Sequence, residues 1–234
     1  MDRRAFVKVC AGTAIAAAWW RGQPALAASI ADHPPARLVN ADGSPLKAAD
    51  VPTTEALVFA YPYRGVPCFL INLGARAAHP ATLASPEDGD YTSPAGVGPH
   101  ANLVACVAIC THQLSYPTPD YSAIRYADSA SPLAGAPGRI VCCTHGSVYD
   151  PAAGAARVSG PAPNALLPVQ LAWDAESDGL AATGCVGDKF FARFFDAYKS
   201  DLIDRFGPGG YHQPVGETTV AIPLSRHSAA VSTC

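Results

Sequence analysis

The sequence predicts a mostly β architecture of short antiparallel strands, and three observations predict it. Glycine and proline are abundant, 20 and 22 in 234 residues, which suits many turns and starves long helices. Short apolar runs recur between segments rich in Gly, Pro, Asp and Ser, the punctuation expected of strands. Helical periodicity is convincing in one stretch only, Asp188 to Phe206.

The elements follow in order. Residues 1–27 read as an export signal rather than as part of the fold. They contain Arg3-Arg4 before Phe6, an apolar stretch from Val9 to Trp20, and small residues at Ala25-Leu26-Ala27. This is a secretory layout of the twin-arginine kind. The stretch is short of the roughly 20 residues that span a bilayer, so cleavage near Ala27 is expected, with a retained anchor as the alternative. Residues 28–54 read as an irregular lead-in. Glu55–Tyr61 and Val66–Leu73 read as strands, 74–100 as a surface loop, and Ala101–Ile109 as a strand ending at Cys110. Residues 113–138 read as a long polar loop and Arg139–Cys142 as a strand. Leu166–Asp174 and Gly179–Val186 read as a hairpin. In the helix, Phe190, Phe191, Phe194, Phe195, Tyr198, Leu202, Ile203 and Phe206 share one face, and Gly207-Pro208 stops it. The predicted organisation is therefore a signal (1–27), a main domain (28–187), and a helix with an extended tail (188–234).

Composition excludes some functions. Only 15% of residues are charged and the net charge is −3, so no basic footprint for nucleic acid is present. Removing 1–27 takes away Arg3, Arg4, Lys8 and Arg21 against Asp2 and deepens the charge to −6. Such a chain could be steered toward a basic partner.

Two short groups carry the chemistry: Cys110-Thr111-His112 and Cys142-Cys143-Thr144-His145-Gly146-Ser147. Each supplies a thiol and an imidazole a few residues apart, where a strand enters a loop and backbone can fold around a metal. One such residue is ordinarily a small buried hydrophobe or a surface histidine; two matched pairs read as metal ligands. Spacing alone also suits tetrahedral zinc.

The flanking residues resemble the Rieske iron–sulfur family, with its Cys-x-His and Cys-x-x-His-Gly-Ser boxes, over roughly residues 101–186. The resemblance implies an antiparallel Rieske-type β-sandwich with a small cluster-binding subdomain, at about 101–165, and one [2Fe–2S] cluster. Cys110 and Cys142 would hold the inner iron, His112 and His145 the outer one. Ser147 and Tyr149 fall where high-potential members hydrogen-bond a bridging sulfide and a ligand sulfur. Ser159-Gly160-Pro161-Ala162-Pro163 resembles the proline loop that covers the cluster, with Gly160 and Pro161 at its heart. Neutral imidazoles in place of thiolates reduce the negative charge and raise the potential, to a window of about −150 to +300 mV.

The sequence also departs from the family. Quinol-oxidising members carry an extra cysteine in each box, joined as a disulfide; those positions are Ser115 and Thr144 here. Beyond the ligands and the signal, the cysteines are Cys68, Cys106, Cys143, Cys185 and Cys234. That odd count leaves at least one unpaired within the chain, with Cys234 the obvious candidate and Cys143 with Cys106 a conceivable pair.

The resemblance implies a periplasmic electron carrier. It would pass single electrons to a redox partner such as a c-type cytochrome, as the small subunit of an arsenite oxidase-like molybdenum enzyme does. The alternative is the Rieske subunit of a membrane quinol–cytochrome c (bc-type) complex, with membrane attachment only if the signal is retained. A Rieske oxygenase or its ferredoxin fits export poorly, and a zinc-stabilised binding module stays open.

Overall fold

The computed structural model describes residues 30–84 and 89–234. The expected export signal lies outside them. Among the described residues no helix is long and apolar enough to cross a membrane.

The strands are β1 (Ala31–Val39), β2 (Leu57–Ala60), β3 (Pro67–Asn72), β4 (Thr82–Leu83), β5 (Tyr91–Thr92), β6 (Leu103–Val107), β7 (Tyr121–Ser122) and β8 (Ile124–Ala127). They continue with β9 (Arg139–Cys142), β10 (Ser147–Asp150), β11 (Ala156–Ser159), β12 (Pro168–Asp174), β13 (Gly179–Cys185), β14 (Thr218–Val220), β15 (Ile222–Pro223) and β16 (Ala230–Val231). Helices α1 (Asp188–Ala197), α2 (Lys199–Phe206) and α3 (Leu224–His227) lie between β13 and β16. The mostly β, antiparallel-rich expectation holds.

An eight-stranded sheet in the order β14-β1-β13-β12-β6-β3-β2-β15 forms the body, and a four-stranded antiparallel sheet β11-β10-β9-β8 forms a small second layer. Successive side chains on a strand point to opposite faces, and that alternation explains how the layers meet. On β3, Cys68 and Leu70 enter the core shared with α1 and α2, while Phe69 and Ile71 enter the core shared with the small sheet. On β6, Ala105 and Val107 face the helices and Cys106 faces the small sheet. Strands buried on both faces read as unbroken apolar runs rather than alternating ones, and β3 and β6 do.

The first core is filled largely by Phe190, Phe191, Phe194 and Phe195 of α1 and Leu202 of α2. Each such side chain contributes about 1.5–3 kcal/mol through burial. The helical run expected over 188–206 breaks at Tyr198, whose φ of −113° and ψ of 22° leave the helical range. The break coincides with packing of the Tyr198 ring against Tyr116, at 4.9 Å between centroids, and Phe194, at 5.4 Å.

Three segments expected to be irregular carry strands, the 74–100 segment holding the short β4–β5 pair. Residues 28–54 hold β1, which pairs with β13 and, in parallel, with β14. Its register shifts between Asp32 and Ala36, so Pro34 and Pro35 sit in the irregularity where missing ladder donors matter least. The 113–138 segment holds β7 and β8, and β8 pairs with β9 from Ile124↔Cys142 to Ala127↔Arg139.

Candidate metal centre

The first pair of candidate ligands stands on the loop leaving β6. Cys110 N–H donates to the Ser115 carbonyl at 2.8 Å, and Leu114 N–H donates to the Cys110 carbonyl at 2.9 Å. The backbone closes on itself around Thr111 and His112, and Leu114 takes a left-handed φ of 59° to complete the turn. The second pair stands on the β9–β10 hairpin. Gly146 N–H donates to the Cys142 carbonyl at 2.9 Å, and Ser147 pairs with Cys142 across the ladder. Gly146 has φ of 78°, a conformation glycine adopts without steric cost.

The two loops bring like with like. Cys110 and Cys142 are buried at 2% and 1% exposure and belong to one buried cluster with Tyr149. His112 and His145 meet edge to face, in a T, with ring centroids 4.7 Å apart and planes at 89°. His145 is exposed and His112 half-buried. The thiols thus form the floor and the imidazoles the rim. His112 Nδ1 is buried and has no hydrogen-bond partner; leaving such an atom unpaired costs on the order of 1–3 kcal/mol, and ligation would satisfy it. Among the described residues, no three His, Cys, Asp or Glu side chains converge on one point.

The surroundings favour thiolate. Hydrogen bonding from Cys142 leads the effects on Cys110 and outweighs its burial. Hydrogen bonds from Tyr149, the His112 backbone and Ser147 add to it, bringing the Cys110 thiol down to about 6. Cys142, donating to Cys110 and buried beside that charge, is pushed up. Burial, and then the Cys110 charge, raise Tyr149, keeping its hydroxyl protonated as a donor. A bound metal would hold both sulfurs as thiolates.

Tyr149 and Ser147 are fully buried. Tyr149 Oη lies 3.1 Å from Cys110 Sγ. Ser147 Oγ accepts a hydrogen bond from Ala162 N–H at 3.1 Å, which leaves its proton for the sulfur side. The 159–163 loop lies against the hairpin so closely that a Cβ on Gly160 would stand 2.3 Å from the Gly146 carbonyl oxygen and 2.5 Å from Ser147 Cα. Gly160 also has φ of 88°. Pro161 is exposed at the tip of that loop. Thr111 Oγ1 donates to the Asn164 carbonyl at 2.8 Å, so the third loop is fastened to both others.

Several site features escaped sequence reasoning. Ser115 Oγ and Thr144 Oγ1 hydrogen-bond at 3.0 Å, joining the two ligand loops at the positions where a disulfide is absent. Cys143 forms a disulfide with Cys234, Cα atoms 5.8 Å apart. Cys234, the expected odd cysteine, is therefore paired, and Cys68, Cys106 and Cys185 are buried and form no disulfide. Asp150, next to Tyr149, accepts from Arg76 at 2.9 Å and pairs with Arg139. That cluster ties the hairpin base to the loop following β3. A charged residue after a strand carries no signal of such a partner, and a pair 91 residues apart carries none either.

No protein-family model matches the chain, and no curated protein matches it. Among solved structures, it is similar to the soluble domain of the Rieske protein II (soxF) from Sulfolobus acidocaldarius. The identity is 25%, the coverage 65% of this chain and 78% of that one, and the TM-score 0.47.

Proposed function

We propose that the chain is a single-electron carrier holding one Rieske-type [2Fe–2S] cluster, with Cys110 and Cys142 on the inner iron and His112 and His145 on the outer. The observation that carries this reading is the sorting of ligands: two thiols in one buried cluster and two imidazoles in contact with each other nearer the surface. A two-iron group takes its ligands two by two, whereas structural zinc takes four at one centre. The cluster, when bound, supplies a reversible one-electron couple.

The chain's own residues do the rest. Burial of the sulfur side excludes water. Tyr149 and Ser147 present donors to sulfur and favour the reduced form. The exposed His145 leaves a short route from the outer iron to whatever docks there. The reading extends to export by the twin-arginine route into the periplasm. It also extends to a redox protein partner, either a molybdenum oxidase-like subunit or a c-type cytochrome, with no nucleic acid. Membrane attachment through a bc-type complex is the alternative if residues 1–27 are retained.

Electron paramagnetic resonance of the dithionite-reduced protein tests the reading. A rhombic signal from a reduced two-iron centre, with visible colour that bleaches on reduction, is the expected result. A colourless, silent protein would sink it.

A further inference from the structure

Residues 228–234 form a strap that joins the extension of one ligand loop to the other. It leaves α3 with Ser228 N–H donating to the Leu224 carbonyl and then runs along residues 118–122. Ser228 Oγ donates to the Thr118 carbonyl at 2.6 Å. Ala229 N–H donates to Pro119 at 2.7 Å, and Ala230 N–H to Asp120 at 3.1 Å. Ala230 and Val231 then pair in parallel with Tyr121 and Ser122. That segment continues the loop bearing Cys110 and His112. Two residues past the last pairing, Ser232 N–H having donated to Ser122, the strap reaches Cys234 and its disulfide to Cys143.

Cys143 stands between Cys142 and His145, on the other ligand loop. Its backbone N–H also donates to the Ala123 carbonyl at 2.7 Å. The strap is therefore strand-paired to the extension of one ligand loop and covalently bonded to the other. At the tips of the loops the side-chain hydrogen bond is Ser115 to Thr144, exposed to competing water; deeper down, Tyr149 Oη reaches Cys110 Sγ.

We propose that the 228–234 strap, closed by the Cys143–Cys234 disulfide, is the clamp that holds the two ligand loops in register, with Cys143 and Cys234 acting as positioning residues for Cys142 and His145. The proposal rests on the reading of those residues as cluster ligands. Closed, the clamp keeps the β9–β10 hairpin tip from opening away from His112. With the bond reduced, the strap stays paired to residues 118–122 and the hairpin tip loses its covalent tie, keeping the Cys143 N–H to Ala123 and the Ser115–Thr144 hydrogen bonds.

The test uses the full-length, iron-loaded protein under anaerobic conditions. Iron release to a ferrous chelator is followed for the wild type, for the wild type with dithiothreitol, and for Cys234→Ser and the Cys143→Ala/Cys234→Ala pair. Dithiothreitol gives two electrons and two protons to the disulfide, leaving two thiols and itself becoming a cyclic disulfide. Release about tenfold faster in the reduced wild type and in both variants is expected, a factor that one to two kcal/mol of lost local stability provides. Dithiothreitol should add nothing to either variant.

Amide hydrogen exchange gives a second reading that needs no cluster. The Cys143 and Gly146 amides should exchange faster in Cys234→Ser while β3 stays protected. Release or exchange at the wild-type rate in the variants overturns the clamp and leaves the cluster reading intact. Wild-type protein that never takes up iron overturns the cluster reading and the clamp's role with it.

Discussion

The Tyr149 hydroxyl stands 3.1 Å from the Cys110 sulfur, with both side chains buried. Held protonated there, it donates to a charged acceptor. Such a bond is worth about 1.5–3 kcal/mol, and for one electron 1.4 kcal/mol is about 59 mV. If part of that energy distinguishes the two redox states, Tyr149→Phe lowers the reduction potential by several tens of millivolts, as does Ser147→Ala. Redox titration checks both; unchanged potentials would mean that neither donor acts on sulfur.

The ligands should be individually required. His112→Ala and His145→Ala should each lose the cluster, because among the described residues no further His, Cys, Asp or Glu joins them in a metal-holding group. Cys143→Ser should still assemble it, since Cys143 is committed to Cys234. Visible absorbance of freshly loaded protein checks this, and a Cys143→Ser protein that never takes up colour would reverse the assignment.

Gly160→Ala should destabilise the 159–163 loop by about 1–3 kcal/mol, from left-handed strain together with a Cβ 2.3 Å from the Gly146 carbonyl oxygen. Because that loop covers Ser147 through Ala162, the potential should move as well as the melting temperature. Paired calorimetry and redox titration measure the two; a loss of stability with an unchanged potential would separate the loop from the centre.

The Asp150 cluster should give the fold an acid-sensitive hinge. Burial alone would raise the Asp150 carboxyl, but hydrogen bonds from Arg139 and Arg76 and their charges outweigh it and hold the group below the usual carboxylate range. A carboxyl lowered in the folded state stabilises fully above its unfolded pKa, about 3.9, and loses that contribution as pH falls through its folded value. Asp150→Asn should therefore unfold at lower denaturant than wild type at pH 7. The gap should close as pH falls below about 4. Denaturant titrations at several pH values check it, and a gap independent of pH would assign the effect to lost hydrogen bonds rather than charge.

Much of this arrangement is legible in the sequence, and the exceptions have physical causes. Strands β2, β3 and β6 announce themselves because burial on both faces makes them continuously apolar. The two boxes are local, so spacing displays them. Strand β1 hides behind Pro34 and Pro35, which look like loop residues until β13 accommodates them at an irregularity. Strand β8, Ile-Arg-Tyr-Ala, is too short to show its period and owes its existence to pairing with β9. The break at Tyr198 contains neither glycine nor proline and coincides with the packing of its ring on Tyr116, a residue far away in the chain. The Cys143–Cys234 bond and the Asp150–Arg76 pair join residues far apart in the chain and leave no local trace.

The central claim is that two thiols and two imidazoles hold two irons. Iron, zinc and acid-labile sulfide measured together on the purified, anaerobically prepared protein test it most directly. The account predicts about two irons and two sulfides per chain with negligible zinc. One zinc per chain without sulfide would contradict it and would make the same four side chains a structural zinc site.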